Sequence, residues 1–375
     1  MNKYIDSLLL DLLKLATKIT SPEEVIANFP KLNTIEWEEL RKAAKGQSIE
    51  ALIYEAINML PTTKQPDLYW RMKWIGDSIK IERHNIQLQK TLIEITDIFD
   101  HNNIPFVLLK GFASASRYPN PMHRNGGDID LLILDNKFDE ACSLLTSHGA
   151  KRKESAPEKH NGYYWSNGTV IEIHHLLVDL CHPKALKYIQ ELDYSQEIET
   201  IDIMGKKIQV FRPEFDCAYQ LTHIIHHLMS SGVGLRQTCD WMLLMYHKGE
   251  EMDTLCLLNH LKRLHHLEAF FTFVLIGAKH FNLPFDIWGW ALCNASPRIA
   301  DRTFAQILKN GNFGKITASH QDHHTIKGNF VNMKNYIKNN IRFYWLCPAE
   351  ARWFILSRSF RFIKKKQSDE QNANA

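Results

Sequence analysis

Asp128 and Asp130 stand two apart in the apolar run DIDLLIL, and Glu172 stands in VIEIH further along the chain. Both runs read as short strands. Side chains two apart on a strand share a face, so the two aspartates project together while Ile129, Leu131 and Ile133 point towards a buried helix layer. The same rule sets Glu172 and His174 against Ile171 and Ile173. Carboxylates crowded on one face repel, which raises the pKa of at least one of them. A divalent cation relieves that repulsion. Oxygen donors of this kind suit Mg²⁺, or Mn²⁺ in its place, with substrate phosphates completing the shell. The chemistry expected of Asp128, Asp130 and Glu172 is therefore metal-assisted chemistry on phosphates. His174 has two readings, as a support for Glu172 or as a structural histidine.

A pair of aspartates on a strand also describes many plain surfaces, so the segment before it matters. IPFVLLK is long enough for a strand and too short for a helix. Lys110-Gly111 follows, then the small-residue stretch FASAS, read as a helix ending near Tyr118-Pro119. A loop with Pro119, Pro121, Gly126 and Gly127 then leads into DID. That is the order of a phosphate-binding turn feeding a metal site. Gly111 would let the backbone approach a triphosphate, helix N-terminal amides favour anions, and Lys110 could supply charge. Ser114 lies a turn later. Arg124, four residues before Asp128, is either a phosphate contact or a loop arginine engaged in surface pairs.

The rest of the chain must position these groups. Residues 1–100 read as helical, with Leu8, Leu9, Leu12, Leu13 and Leu15 on one helix and Thr34 capping the next. A third helix runs from Ile49 to Met59, and a long one follows Pro66 to Asp100. Lys137 to His148 has helical spacing. Tyr163 to Trp165 and Thr169 to His175 flank Asn167-Gly168, a hairpin signal. Two short strands near Ile201 and Ile208 surround Gly205. The chain turns helical again from Pro213. Boundaries are accordingly set at 1–100 (helical), 101–212 (α/β core), 213–366 (helical) and 367–375 (disordered tail).

Within the last helical region, Arg236 and Asp240 have i, i+4 spacing and could pair along a helix. His223, His226 and His227 can share a helix face. HExxH is absent, so helix packing or an acceptor-site role is favoured over zinc. His320, His323 and His324 lie in a polar stretch and read as surface.

Composition sets limits. The 45 basic residues nearly balance the 42 acidic ones, which argues against wholesale nucleic-acid binding. The seven cysteines are scattered without a CxxC pair, which fits a reducing cytoplasm rather than a disulfide framework. Asp6, Asp11 and Lys14 interrupt the apolar N-terminus, which reads as an amphipathic helix and not a signal peptide. No apolar run is long enough to span a bilayer. ARWFILSRSFRFIKKK mixes basic and bulky apolar residues. It reads as a terminal helix packed on its own domain or as a peripheral contact with an anionic membrane surface.

LLKGFASASRYPNPMHRNGGDIDLLI resembles the core motif of the nucleotidyltransferase superfamily, which has the DNA polymerase β-like fold. It is most similar to an uncharacterised group in which LKG, YP, an arginine and a DIDLLV strand succeed one another. The resemblance extends over IEWEELRKAAKGQSIEALIYEAI and HHLMSSGVGLRQTCDWMLLM, covering much of residues 35 to 245. It implies an α+β fold, a small mixed-sheet nucleotidyltransferase core flanked by helical N-terminal and C-terminal regions. It also implies an enzyme that moves NMP from an NTP, ATP among them, to a small molecule, a sugar or lipid-linked intermediate, or a protein. Asp128 and Asp130 would hold two Mg²⁺ ions, and Glu172 would ligate the second ion or act as base. Lys110, Gly111, Ser114, Arg124 and Arg236 would meet the nucleotide. The chain departs from the superfamily in having Phe112 after Gly111, where Gly-Ser or Gly-Gly is usual. The spacer from Gly111 to Asp128 is also long, which would make the loop around Arg124 part of the substrate wall. The alternative is a catalytically inactive nucleotide-binding or partner-binding protein of the same fold. The intact set of acids argues against it.

Overall fold

A computed structural model describes residues 2–153, 160–178, 180–230, 232–284, 286–314 and 337–354. The N-terminal half opens with α1 (Lys3–Thr17), α2 (Pro22–Asn28), α3 (Thr34–Gln47) and α4 (Glu50–Met59), followed by the long α5 (Leu68–His101). The cap of α3 is Asn33, not Thr34. Its side chain accepts from the Glu36 amide while Glu36 accepts from the Asn33 amide. The amide-bearing Asn33 takes the cap because its extended backbone sets up this reciprocal pair.

The sheet is built from β1 (Phe106–Leu109), β2 (Ile129–Ile133), β3 (Lys151–Arg152), β4 (His160–Tyr164) and β5 (Val170–His174), in the order β1-β2-β5-β4-β3. β2 and β5 run parallel and the other pairs antiparallel, so the sheet is mixed. α6 (Gly111–Ala115) follows β1 and stops short of the expected Tyr118. α7 (Phe138–Ser147) follows β2. α8 (Pro183–Glu191), which sequence patterning did not reveal, precedes a separate hairpin of β6 (Ile198–Ile203) and β7 (Lys206–Phe211) turning at Gly205. Helices α9 (Pro213–Met229), α10 (Leu235–Lys248), α11 (Thr254–Arg263), α12 (Leu267–Phe281), α13 (Gly289–Asn294) and α14 (Pro297–Asn310) complete the labelled elements. The fold class is α+β.

Strand alternation sorts side chains to two cores. Ile129, Leu131, Ile133, Ile171 and Ile173 pack with Leu88, Leu92, Ile95 and Phe99 of α5. Leu132, Val107 and Leu109 join the other core, which holds α9, α10 and also α1, α3 and α4. The N-terminal helices dock onto the C-terminal ones: Gln47 donates to the carbonyls of Ile307 and Leu308 and accepts from the Leu235 amide. Among the described residues, no helix is long and apolar enough to cross a membrane. His320, His323, His324 and the basic residues from Arg358 onward, with the 367–375 tail, lie outside the described residues.

Candidate active site

The parallel register of β2 and β5 sets Asp130 directly opposite Glu172. Asp128 stands one residue before β2 begins, at its exposed entry. One ligand atom from each of Asp128, Asp130 and Glu172 lies within 4.8 Å of the others. β1 delivers Lys110 to the same place, where its Nζ is 3.3 Å from Asp130 Oδ2. β4 delivers a residue that sequence patterning missed. His160 pairs with His174 across the β4–β5 ladder, and its Nε2 is 3.3 Å from Glu172 Oε2. His174 Nε2 is 3.0 Å from Asp130 Oδ1 and 3.9 Å from Glu172 Oε2. His160, Glu172 and His174 thus form a second close group that shares Glu172 with the first. The hidden signal was alternation in HNGYY, obscured because the strand opens on polar residues.

The charges are not matched. Repulsion from Asp130 above all, with Glu172 adding to it, pushes the Asp128 carboxyl up to about 6. Burial works against ionising Asp130, but Lys110 and His174 outweigh it and hold its carboxyl well below the usual range. Burial also opposes ionisation of Glu172, and the hydrogen bond from His160 outweighs it. His174 is pushed below the usual histidine range by burial, so its ring is neutral near pH 7. Burial opposes the charge on Lys110 too, yet Asp130 and its neighbours hold the ammonium protonated. The cluster is three acids with one permanent cation.

The turn that carries Lys110 is strained. Lys110 adopts φ 50 and ψ −134, and Gly111 follows at φ +47. A side-chain-bearing residue in such a conformation costs about 1–3 kcal/mol. The positive φ is what requires glycine at 111. Ser114 is buried in α6, and its hydroxyl makes no hydrogen bond to the cluster.

The loop before Asp128 is held from outside the sheet. Asn85 of α5 donates to the carbonyls of Met122 (2.6 Å) and Arg124 (2.8 Å) and accepts from the Gly126 amide (3.2 Å). A Cβ on Gly126 would stand 2.5 Å from Asn85 Oδ1 and 2.6 Å from Leu88 Cδ1. His123 bridges Glu55 (2.9 Å) and Glu82 (2.7 Å). No local pattern marks Asn85, since its partners lie far along the chain.

Arginines wall the site on the α10 side. Arg124 forks onto Asp240, from Nε to Oδ1 at 2.8 Å and from Nη2 to Oδ2 at 2.7 Å, while the Tyr118 hydroxyl donates to Oδ1 at 2.8 Å. The i, i+4 pairing of Arg236 with Asp240 is not what forms. Asp240 is taken by Arg124, whose planar fork fits a carboxylate in bidentate fashion. Arg236 instead donates from Nη1 to the Asn125 carbonyl at 2.7 Å, and its buried Nε has no partner. Burial and the nearby Arg124 charge depress its pKa, while Asp240 and Asp128 draw it the other way. His223, His226 and His227 line α9, with the His223 and His227 rings 4.3 Å apart. They join no group of three candidate ligands among the described residues.

A family described as uncharacterised nucleotidyltransferase matches residues 33–282, more than half of the chain. The chain belongs to this family. It is a nucleotidyltransferase, an enzyme that moves NMP from an NTP to an acceptor that the family does not specify. Among solved structures, an antigenic nucleotidyltransferase-like protein from Paracoccidioides brasiliensis is 19% identical, over 48% of this chain and 87% of that one, with a TM-score of 0.32. The antibiotic-resistance factor ANT(2'')-Ia is 13% identical, over 50% and 97%, with a TM-score of 0.37. The lincosamide antibiotic adenylyltransferase LnuA, bound to lincomycin, is 15% identical, over 47% and 94%, with a TM-score of 0.26. Likeness at this level carries no argument about this nucleotidyltransferase, whose assignment rests on the family match. No curated protein matches it.

Proposed function

We propose that this nucleotidyltransferase uses Mg²⁺, with Mn²⁺ able to replace it, held by Asp128, Asp130 and Glu172. The NTP, ATP among the candidates, gives its NMP to a hydroxyl or phosphate of a small molecule, a sugar or lipid-linked intermediate, or a protein. One observation carries this reading: three carboxylates share 4.8 Å of space, and their repulsion lifts Asp128 to about 6. A donor set made of oxygen and short of positive charge fits a hard divalent cation. Such an ion, when bound, neutralises the acids and the phosphates and polarises the attacking oxygen.

The chain's own groups do the rest. The Lys110-Gly111 turn offers backbone amides and the Lys110 ammonium to phosphate oxygens. Arg236, half-buried near Asp128 with one backbone partner, is the cation for the triphosphate. Arg124 is spent on Asp240 and shapes the wall. His160 and His174 hold Glu172 and Asp130 in place. The acceptor oxygen bonds to the α-phosphorus as its bond to the β-phosphate bridge breaks. Pyrophosphate leaves, and the acceptor proton passes to Glu172 or water.

Each α-labelled NTP, incubated with the enzyme, Mg²⁺ or Mn²⁺ and cell extract, tests the acceptor. Label moving to a protein band selects protein nucleotidylation, and label in a small or lipid fraction selects those acceptors. No transfer to any fraction with any NTP rejects the catalytic reading in favour of a binding protein. A cytoplasmic location belongs to the same proposal, as does peripheral membrane contact through the segment after Pro348. Liposome flotation of a chain ended at Pro348 decides the latter, since unchanged binding ends the idea.

A further inference from the structure

We propose that Glu197, Cys256 and His260 form a second metal site, separate from the carboxylate cluster, which takes a borderline transition ion of the Zn²⁺ type. Each offers one ligand atom, and the three atoms lie within 4.8 Å of one another. His260 Nε2 is 3.4 Å from Cys256 Sγ and 3.4 Å from Glu197 Oε2. A tetrahedral ion with bonds of about 2.0–2.3 Å to nitrogen, oxygen and sulfur puts its ligands roughly 3.3–3.5 Å apart. Cys256 and His260 are four apart on α11 and so share a face. Glu197 approaches from the residue before β6.

A second observation bears on the histidine. The Tyr188 hydroxyl lies 2.6 Å from His260 Nδ1. With Nδ1–H donating to that oxygen, the Nε2 lone pair is left facing the cysteine and the glutamate. Metal-binding histidines are commonly fixed this way through their other nitrogen. Tyr188 is itself held, since the Arg263 guanidinium lies 5.0 Å from its ring centre.

Thiolate, imidazole and carboxylate together suit Zn²⁺ better than Mg²⁺. On binding, Cys256 forms a sulfur–metal bond and releases its thiol proton to solvent. Cys256 and Glu197 are half-buried, which leaves the fourth position to water. The ion would fasten α11 to the β6–β7 hairpin.

Chelator-stripped protein reconstituted with Co²⁺ tests this. The expected result is a near-ultraviolet thiolate-to-cobalt absorption that saturates at one equivalent and is displaced by Zn²⁺. It persists in Glu172→Gln and disappears in Cys256→Ser. Tyr188→Phe keeps every ligand and weakens Co²⁺ binding by about 10- to 100-fold. No such absorption in the wild type overturns the proposal. So does its persistence in Cys256→Ser, its loss in Glu172→Gln, or unchanged affinity in Tyr188→Phe.

Discussion

Two arginines, the buried Arg124 and the half-buried Arg236, stand near the same aspartate and differ in what they are matched with. Arg124 shares two hydrogen bonds with Asp240, and Tyr118 adds a third to that carboxylate. Its charge is answered within the protein. Arg236 has one backbone carbonyl and a buried nitrogen without a partner. The carboxylate cluster is the mirror case, three acids against Lys110. Unanswered negative charge therefore faces unanswered positive charge across Asp128. Residue type is the same in both arginines; they differ in how far the protein answers the charge, and the proposed function assigns the less matched one to the phosphates.

Substitutions can break that contrast. Arg124→Met leaves Asp240 buried with Tyr118 alone and should destabilise the fold by about 3–5 kcal/mol, since it strips one partner from a buried pair. Urea unfolding measures it, and a loss below about 1 kcal/mol would mean that the pair is not buried in effect. Arg236→Gln should leave stability nearly unchanged and lower kcat/KM by about 10²-fold, the usual size for one lost charge-stabilising donor. Equal destabilisation by both substitutions would erase the difference between them.

Smaller effects test how the loop between the two regions is held. Asn85→Ala removes three hydrogen bonds to the loop and should cost about 1–3 kcal/mol in unfolding free energy, from stranded backbone groups. It should also raise KM for NTP. A stable variant with unchanged KM would remove Asn85 from the account. The smallest effect is on pH. Burial opposes protonation of His123, yet its hydrogen bonds to Glu55 and Glu82 raise its folded pKa above 6.5. A group raised on folding contributes stability that is fully present below its unfolded pKa and fades as pH rises through the folded value. The stability gap between wild type and His123→Gln should therefore be larger at about pH 6 than at about pH 9. A gap that stays constant contradicts the bridge.

The strand alternation in DIDLLIL and VIEIH set Asp130 and Glu172 on the faces opposite their isoleucines, because period-two patterning states which residues share a face; the β2–β5 register then brings the two together. Gly205 between two β-rich runs marked the β6–β7 hairpin for the same local reason. Tertiary pairing left no such trace. His160 opens its strand among polar residues, and Asn85 reaches its loop from a distant helix. Asp240 chose Arg124 over Arg236 because fork geometry in the folded state outweighed helical spacing. Asn33 displaced Thr34 as a cap because its backbone is extended and its side chain pairs reciprocally with Glu36, while Thr34 is already helical.

The most direct test is pyrophosphate release from each NTP with Mg²⁺ or Mn²⁺ and an extract as acceptor source, comparing wild type with the Asp128→Asn, Asp130→Asn double variant. The account predicts metal-dependent release by the wild type, and a loss on the order of 10³-fold or more in a variant that melts no lower than the wild type. Equal release by the two proteins would contradict it, as would a wild type that releases none while its NTP affinity is indifferent to the double substitution.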